Sequence, residues 1–276
     1  MSRLLVCTPS DLPSVNMKKR LLEMSDWEDL GSDGENTYLA HGDDTMVTIP
    51  GEHIHAEHID ETARRFGAKV DEVVFMSRHT AASGRPTLTV HPIGNYKQAE
   101  FGGESGKLVR SAPASMTDSL RKIKALNDIP DYGVSFEVTH HGPYLETPTY
   151  YIEIGSDESR WGDMDAAKIL ASVLLDPGQT EGVSAIGVGG GHYAPRFTEV
   201  ALKHRINIGH MVPNYQMEGM DDETIVSYFK QAAEKTQAHC AYFHRRSMKK
   251  PEAERIEGLI GSAGLEIVTS KDLDPL

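Results

Sequence analysis

The chain has 276 residues, enough to bury a substantial core, and no apolar run in it approaches the roughly 20 residues of a membrane span. Acidic residues outnumber basic ones by 41 to 28, for a formal charge of −13. That balance excludes indiscriminate polyanion binding and leaves a local basic patch as the route to any nucleic acid. Candidate patches are Lys18-Lys19-Arg20, Arg64-Arg65, the Lys107 to Arg110 segment, Arg121-Lys122 with Lys124, and His244-Arg245-Arg246 with Lys249-Lys250. Each alone reads as a solvated helix face. The first apolar run, around Leu4 to Val6, is far too short for a signal peptide. Cys7 and Cys240 lie in strand-like runs without C-x-x-C spacing, as expected of buried thiols in a reducing cytoplasm.

In chain order, Arg3 to Thr8 reads as a first strand, and Gly31 to Asn36 as a polar loop ahead of short strands around 38–40 and 46–49. Ile59, Ala63 and Phe66 mark a helix face, and 72–77 is a nearly continuous apolar run suited to a strand covered on both sides. Leu88 and Val90 alternate with Thr87, Thr89 and His91 before Pro92. The glycine-rich stretch from Asn95 to Ser111, about 15 residues without periodicity, is long enough for a functional lid. Ser115-Met116-Thr117-Asp118 resembles a capping box. Val134, Phe136 and Val138 alternate with Ser135, Glu137 and Thr139, so a continued strand sends His140 and His141 to opposite faces, and one of them to a shared site. Tyr150, Ile152 and Ile154 face away from Tyr151 and Glu153; Ala167, Leu170, Ala171 and Leu174 give a helix stripe ended by Asp176-Pro177-Gly178.

Val183 to Ile186 is a short buried strand that runs into Gly187-Val188-Gly189-Gly190-Gly191-His192-Tyr193-Ala194-Pro195-Arg196, with Pro195 placed to start a helix. A glycine turn between strand and helix brings backbone N–H groups close to anything negative, although neither G-x-G-x-x-G nor a P-loop is matched. Strands at 206–211 and 240–243, a helix opened by Asp221-Asp222-Glu223, a last helix opened by Pro251 and a final strand at 265–269 complete the pattern. The alternation predicts an α/β protein, a three-layer α/β/α arrangement with a largely parallel or mixed sheet. With no repeat and no linker, residues 1–276 read as a single domain.

Ligands of open α/β sheets bind beyond the carboxyl ends of the strands. There the reading places His79, His91, His140, His141, His192, His210 and His244, seven of the 13 histidines. Together they have metal-ligand or acid/base capacity, completed by Glu153 or Glu137. A competing cluster, His53-Ile54-His55-Ala56-Glu57-His58, approximates the H-x-H-x-D-H metal motif of metallo-β-lactamase-like hydrolases, with Glu57 in place of aspartate. A phosphate- or nucleotide-binding protein that uses the glycine turn without a metal is a third reading.

Ser77-Arg78-His79, Thr89-Val90-His91-Pro92-Ile93-Gly94-Asn95, His140-His141-Gly142-Pro143 and Gly189-Gly190-Gly191-His192-Tyr193-Ala194-Pro195 together resemble the D-aminoacyl-tRNA deacylase family of archaea and plants. The resemblance runs over essentially the whole chain. It implies a phosphorylase/hydrolase-like α/β core and a monomeric cytoplasmic enzyme that hydrolyses the ester between a D-amino acid and the 3′ end of tRNA, with neither membrane nor DNA as partner. It also implies two zinc ions per chain. Carried over by motif, His79, His91 and His140 are metal-ligand candidates and His192, His141 and Glu153 catalytic candidates. Gly189, Gly190, Gly191, Tyr193, Arg78, Arg196 and Asn95 are the substrate-binding candidates, and Arg78, Lys107, Arg110 and Arg196 are expected near the tRNA acceptor end.

Overall fold

Alternating and continuous apolar runs pair into two sheets in the computed structural model, which describes residues 1–82 and 84–276. The larger sheet contains β1 (Arg3–Cys7), β2 (Glu28–Ser32), β3 (Thr37–His41), β4 (Asp44–Thr48), β5 (Glu72–Arg78), β6 (Thr87–His91), β7 (Gly133–Phe136) and β8 (Thr149–Gly155), in the order β2-β3-β4-β1-β5-β8-β6-β7. Its centre, β4-β1-β5-β8, is parallel, while β6 runs antiparallel to β8 and β2-β3-β4 is a meander. The smaller sheet contains β9 (Val183–Val188), β10 (Ile206–Val212), β11 (Cys240–Phe243) and β12 (Glu266–Val268), all parallel, in the order β10-β9-β11-β12.

Helices α1 (Leu12–Met24), α3 (Pro113–Leu126) and α5 (Met164–Leu175) bury the face of the large sheet that carries Leu5, Val74, Leu88, Tyr150 and Ile152. The opposite face carries Val6, Phe75 and Tyr151, packed with α2 (Ile59–Phe66) and with Val109, Tyr144 and Leu145 from the loops. On the small sheet, α8 (Asp222–Thr236) and α9 (Lys250–Ser262) cover Ile186, Val188 and Ala241. Its other face meets α3 and α6 (Pro195–Ala201). Two short helices, α4 (Glu158–Trp161) and α7 (Asn214–Met217), complete the set used below. Helix α3 touches both β6 and β10 and so sits between the sheets.

The α/β class and most strands follow the sequence pattern, but the sheet is divided in two. Helix α3 starts at Pro113, so Ser115 lies within its first turn and the expected capping box is not formed. Asp221 does cap α8, accepting from the Thr224 amide at 2.8 Å, and Pro195 is the first residue of α6. Of the polar stretch expected to be a loop, Asp33 to Asn36 is one, while Gly31 and Ser32 end β2, whose five residues are all exposed, as its position at the sheet edge permits.

A buried histidine and carboxylate cluster between the two sheets

Strand alternation decides where the acid of the site goes. On β8, Tyr150, Ile152 and Ile154 enter the core, so Glu153 points to the other face, opposite Ser77 of β5 and Thr89 of β6, and is almost completely buried. His91 ends β6 with its ring 5.1 Å from that of Tyr151 and its Nε2 3.7 Å from Glu153 Oε2. His79 follows β5, its amide donating to the Ile154 carbonyl at 3.0 Å, and its Nδ1 lies 3.0 Å from Glu137 and 3.5 Å from Glu153.

The segment after β7 brings the small sheet to this face. The Val138 amide donates to the His192 carbonyl and the Ala194 amide to the Phe136 carbonyl, each at 3.0 Å. These bonds set His192 Nε2 3.0 Å from Glu137 Oε2.

Both histidines of the His140-His141 pair face the site, against the alternation argument. β7 ends at Phe136, and His141 adopts a left-handed backbone with φ of 40°, so the chain turns where a strand would have continued. The two rings lie 4.5 Å apart, and the His91 ring is 4.1 Å from His140 and 4.9 Å from His141. A left-handed non-glycine residue costs about 1–3 kcal/mol and persists where surrounding contacts over-determine it, a pattern concentrated at functional sites.

Three groups result: His91, His140 and His141; His79, Glu137 and His192; and His91, Glu137 and Glu153. Within each, one ligand atom per residue lies within 4.8 Å of the others. In the first group, the Nδ1 atoms of His91, His140 and His141 contact the carbonyls of Pro92, Val138 and Gly142 at 3.1, 2.7 and 2.7 Å. A carbonyl can only accept, so each Nδ1 carries the proton and each Nε2 is left to the site.

Burial favours neutral His140 and His141; it pushes His141 down to about 4, and it lowers His140 well below the usual range together with the nearby charge of His91. Burial also opposes charge on His79, but hydrogen bonds to Glu137 and Glu153 prevail and lift it to about 11. Burial works against ionisation of Glu153, yet His79 and His91 hold it down at about 2. Burial likewise opposes ionisation of Glu137, but hydrogen bonds with His192 and His79 and the charges of His79 and His91 hold its carboxyl well below the usual range. The site is therefore a pair of buried carboxylates enclosed by imidazoles.

His140 and His141 floor a cavity of about 530 Å³ whose wall includes Asn95, Lys97, Phe101, Tyr215 and Gln216. Asn95 Nδ2 donates to the Gly102 carbonyl at 3.0 Å, bracing the glycine-rich loop that forms this wall. Tyr193 packs edge-on to His79 at 5.4 Å, and its hydroxyl is buried without a hydrogen-bond partner among the described residues.

Other candidates lie elsewhere or are already engaged. The Gly189 amide donates to Val212 O at 2.9 Å, and that of Gly190 to Asn214 Oδ1 and Ser247 Oγ at 3.0 Å each, which leaves exposed Gly191 as the open part of the turn. Arg196 is held by Glu199 at 2.8 Å and Tyr242 at 2.7 Å, and Arg78 lies over the Trp161 ring while donating to Ser10 O. Lys107 is paired with Glu104 at 2.5 Å, and Arg110 is exposed. His210 is buried apart from the cluster, both ring nitrogens engaged by Thr139 and Val109 at 3.0 and 2.7 Å. His244 sits beside Gly190 and Phe197.

The H-x-H-x-E-H stretch does not converge. His53 is buried beside Phe75 and Tyr151, while His55 and His58 are exposed. Glu57 accepts from the Gly103 amide at 2.8 Å and from the Tyr144 amide, joining two loops. Glu137, to which sequence gave only a secondary place beside Glu153, belongs to two of the three groups; its alternation with Ser135 and Thr139 is the signal for it.

The family model described as D-aminoacyl-tRNA deacylase matches residues 66–268, a span containing every residue of the cluster. A D-aminoacyl-tRNA deacylase of Methanococcoides burtonii is 36% identical over 99% of this chain, which spans 57% of that relative's length. One of Methanosarcina acetivorans is 35% identical over 98% of this chain and 92% of its own. A crystal structure described as a conserved protein of unknown function superposes with a TM-score of 0.89 at 31% identity, covering 100% of this chain and 99% of the other. By the family match and by relatives 35–36% identical over 98–99% of its length, the chain belongs to the D-aminoacyl-tRNA deacylase family.

Proposed function

We propose that the chain hydrolyses the ester between a D-amino acid and the 3′ end of tRNA, freeing the tRNA and keeping D-residues out of translation. The observation that carries this reading is the meeting of His91 with His140 and His141 at the floor of a cavity, each with Nδ1 bound to a carbonyl and Nε2 turned to the cluster, those of His91 and His140 lying 3.7 and 3.6 Å from Glu153 and Glu137. The reading includes a monomer acting in the cytoplasm, and the two free, buried thiols suit a reducing compartment.

The donor set fits zinc. Among the described residues, His79 Nε2, His91 Nε2 and Glu137 Oε1 are buried with no hydrogen-bond partner, and an unmet buried polar atom costs about 1–3 kcal/mol. His91, His140 and His141 would hold one ion and His79, Glu137 and His192 a second, with Glu153 balancing charge. This regrouping moves His141 and His192 from the catalytic set to the ligand set and gives Glu153 the part of a charge-balancing neighbour. Zinc supplies Lewis acidity toward the ester carbonyl and brings deprotonation of water toward neutral pH.

The protein's own groups do the rest. Carbonyl contacts at Pro92, Val138 and Gly142 fix the orientation of the three imidazoles, a constraint whose loss from metal sites typically costs 10–100-fold. Glu137 orients His192, and the unpartnered Tyr193 hydroxyl is a donor available to an oxyanion. Rejecting one enantiomer requires the amino group, ester and Cα hydrogen to be fixed together, a task suited to a cavity floored by oriented imidazoles. The phosphate-nest alternative loses support because the Gly189 and Gly190 amides are engaged within the protein.

The test is incubation with D-Tyr-tRNA and L-Tyr-tRNA, with and without chelator, alongside measurement of bound metal. Release of D-tyrosine alone, abolished by chelator and restored by zinc, is expected. Release from neither substrate by metal-loaded protein overturns the reading, and chelator-insensitive release removes the metal from it.

A further inference from the structure

The cavity mouth carries groups that neither ligate a metal nor face an ester. Phe101 is 64% exposed, the most exposed large hydrophobic side chain among the described residues, and Tyr215 is 40% exposed. They come from separate segments, the glycine-rich loop and α7, and line the same cavity as His140 and His141. The Lys97 ammonium ties the segments together by donating to the Tyr215 carbonyl at 3.3 Å.

We propose that this mouth is a subsite for the terminal adenosine of tRNA, with Phe101 and Tyr215 stacking on the base, Gln216 reading its edge and Lys97 meeting the adjacent phosphate. The inference rests on the deacylase reading and extends it from the ester to the nucleotide that bears it.

Three observations converge on a nucleotide. An exposed aromatic ring at the mouth of a cavity gains by covering itself with another flat ring, and every base has such a face. Gln216 Oε1 is buried and unpartnered beside Tyr215, an acceptor for the N6 amino group of adenine, which carboxamides recognise with N6 and N7 together. Lys97 is in no ion pair with a carboxylate among the described residues, whereas Lys107 and Arg196 are paired with Glu104 and Glu199. It is thus a cation at this mouth still open to a phosphate. The volume, about 530 Å³, falls within the roughly 300–1,000 Å³ of small-ligand sites. A base held at the mouth puts its ribose ester toward the histidine floor.

The experiment uses uncharged acceptor-stem minihelices, measured by fluorescence anisotropy so that it does not depend on turnover. Wild type should bind a minihelix ending in CCA at least about tenfold tighter than one ending in CC, as stacking and edge contacts of this kind allow. Phe101→Ala and Tyr215→Ala should each lose roughly five- to 100-fold of that preference, with Phe101→Trp retaining it. Gln216→Met should lose discrimination of terminal adenosine against terminal inosine, which has a carbonyl in place of the amino group. Equal wild-type affinity for the two minihelices, or an unchanged preference in both alanine variants, overturns the subsite. CCA-dependent binding by a protein that releases no D-amino acid would instead defeat the proposed reaction and leave the subsite standing.

Discussion

Glu137 shows how one side chain can organise a site. Fully buried, it meets His79 and His192 through the same oxygen at 3.0 Å, while its other oxygen has no partner among the described residues. Replacing it with glutamine keeps the shape but removes the charge that both imidazoles face. Removing one member of a buried charged set costs about 3–5 kcal/mol, so Glu137→Gln should lower stability by about that amount in urea unfolding with chelator present. It should also lower the zinc bound per chain at saturation.

A second carboxylate answers to pH. Glu72, at the start of β5, is raised by burial to about 7, despite Ser115 and the charge of Arg3. Its folded value lies above its unfolded one, so its contribution is fully present below about pH 4.5 and is lost as pH rises through 7. Glu72→Gln should flatten the fall in unfolding free energy between pH 5 and 7.5, by at most about 3 kcal/mol. A profile that falls as steeply in the variant would discount this residue.

At the level of elements, the cavity wall depends on the glycine-rich loop seating against the turn after His141. A Cβ on Gly142 would lie 2.2 Å from the Gly103 nitrogen and 2.4 Å from the Gly102 carbonyl carbon, both main-chain atoms that cannot rotate away. Gly142→Ala should therefore displace the wall, destabilise the fold by about 1–3 kcal/mol and raise KM for D-aminoacyl-tRNA more than tenfold. Gly106→Ala in the same loop, where a Cβ meets nothing within 4 Å, should cost only the strain of its positive φ, about 1 kcal/mol.

The same elements show what the residues alone can reveal. The alternation in β6 and β8 puts His91 and Glu153 on one face, because a strand has a fixed period and the apolar partners are unambiguous. The His140-His141 pair is not legible in this way, since a left-handed histidine carries no sequence mark. Helix α1 escapes the pattern because Ser14 and Asn16 are buried among its apolar residues. The Gly190 amide looks open in sequence because its partners, Asn214 and Ser247, are 24 and 57 positions away.

For the molecule as a whole, the formal charge of −13 opposes tRNA at long range, and Arg78, Lys107 and Arg196 are already engaged inside the protein. Of the four cations expected at the acceptor end this leaves exposed Arg110, with Lys97 at the cavity mouth. Each contact contributes a slope of about 0.7 to 0.9 in log affinity against log salt, so the slope for tRNA binding should stay below about 2 in magnitude. A steeper titration would require a basic surface beyond the cavity mouth.

The division into two sheets has a further effect. Of the candidate ligands, only His192 comes from the small sheet; the others rise from strands and turns of the large one. A chain emerging from the ribosome could thus gather the first trio of imidazoles before residue 192 has been made, yet its second trio would still be short of a member. Synthesis order would then act as a safety catch, completing the second trio only once the late-made layer has docked.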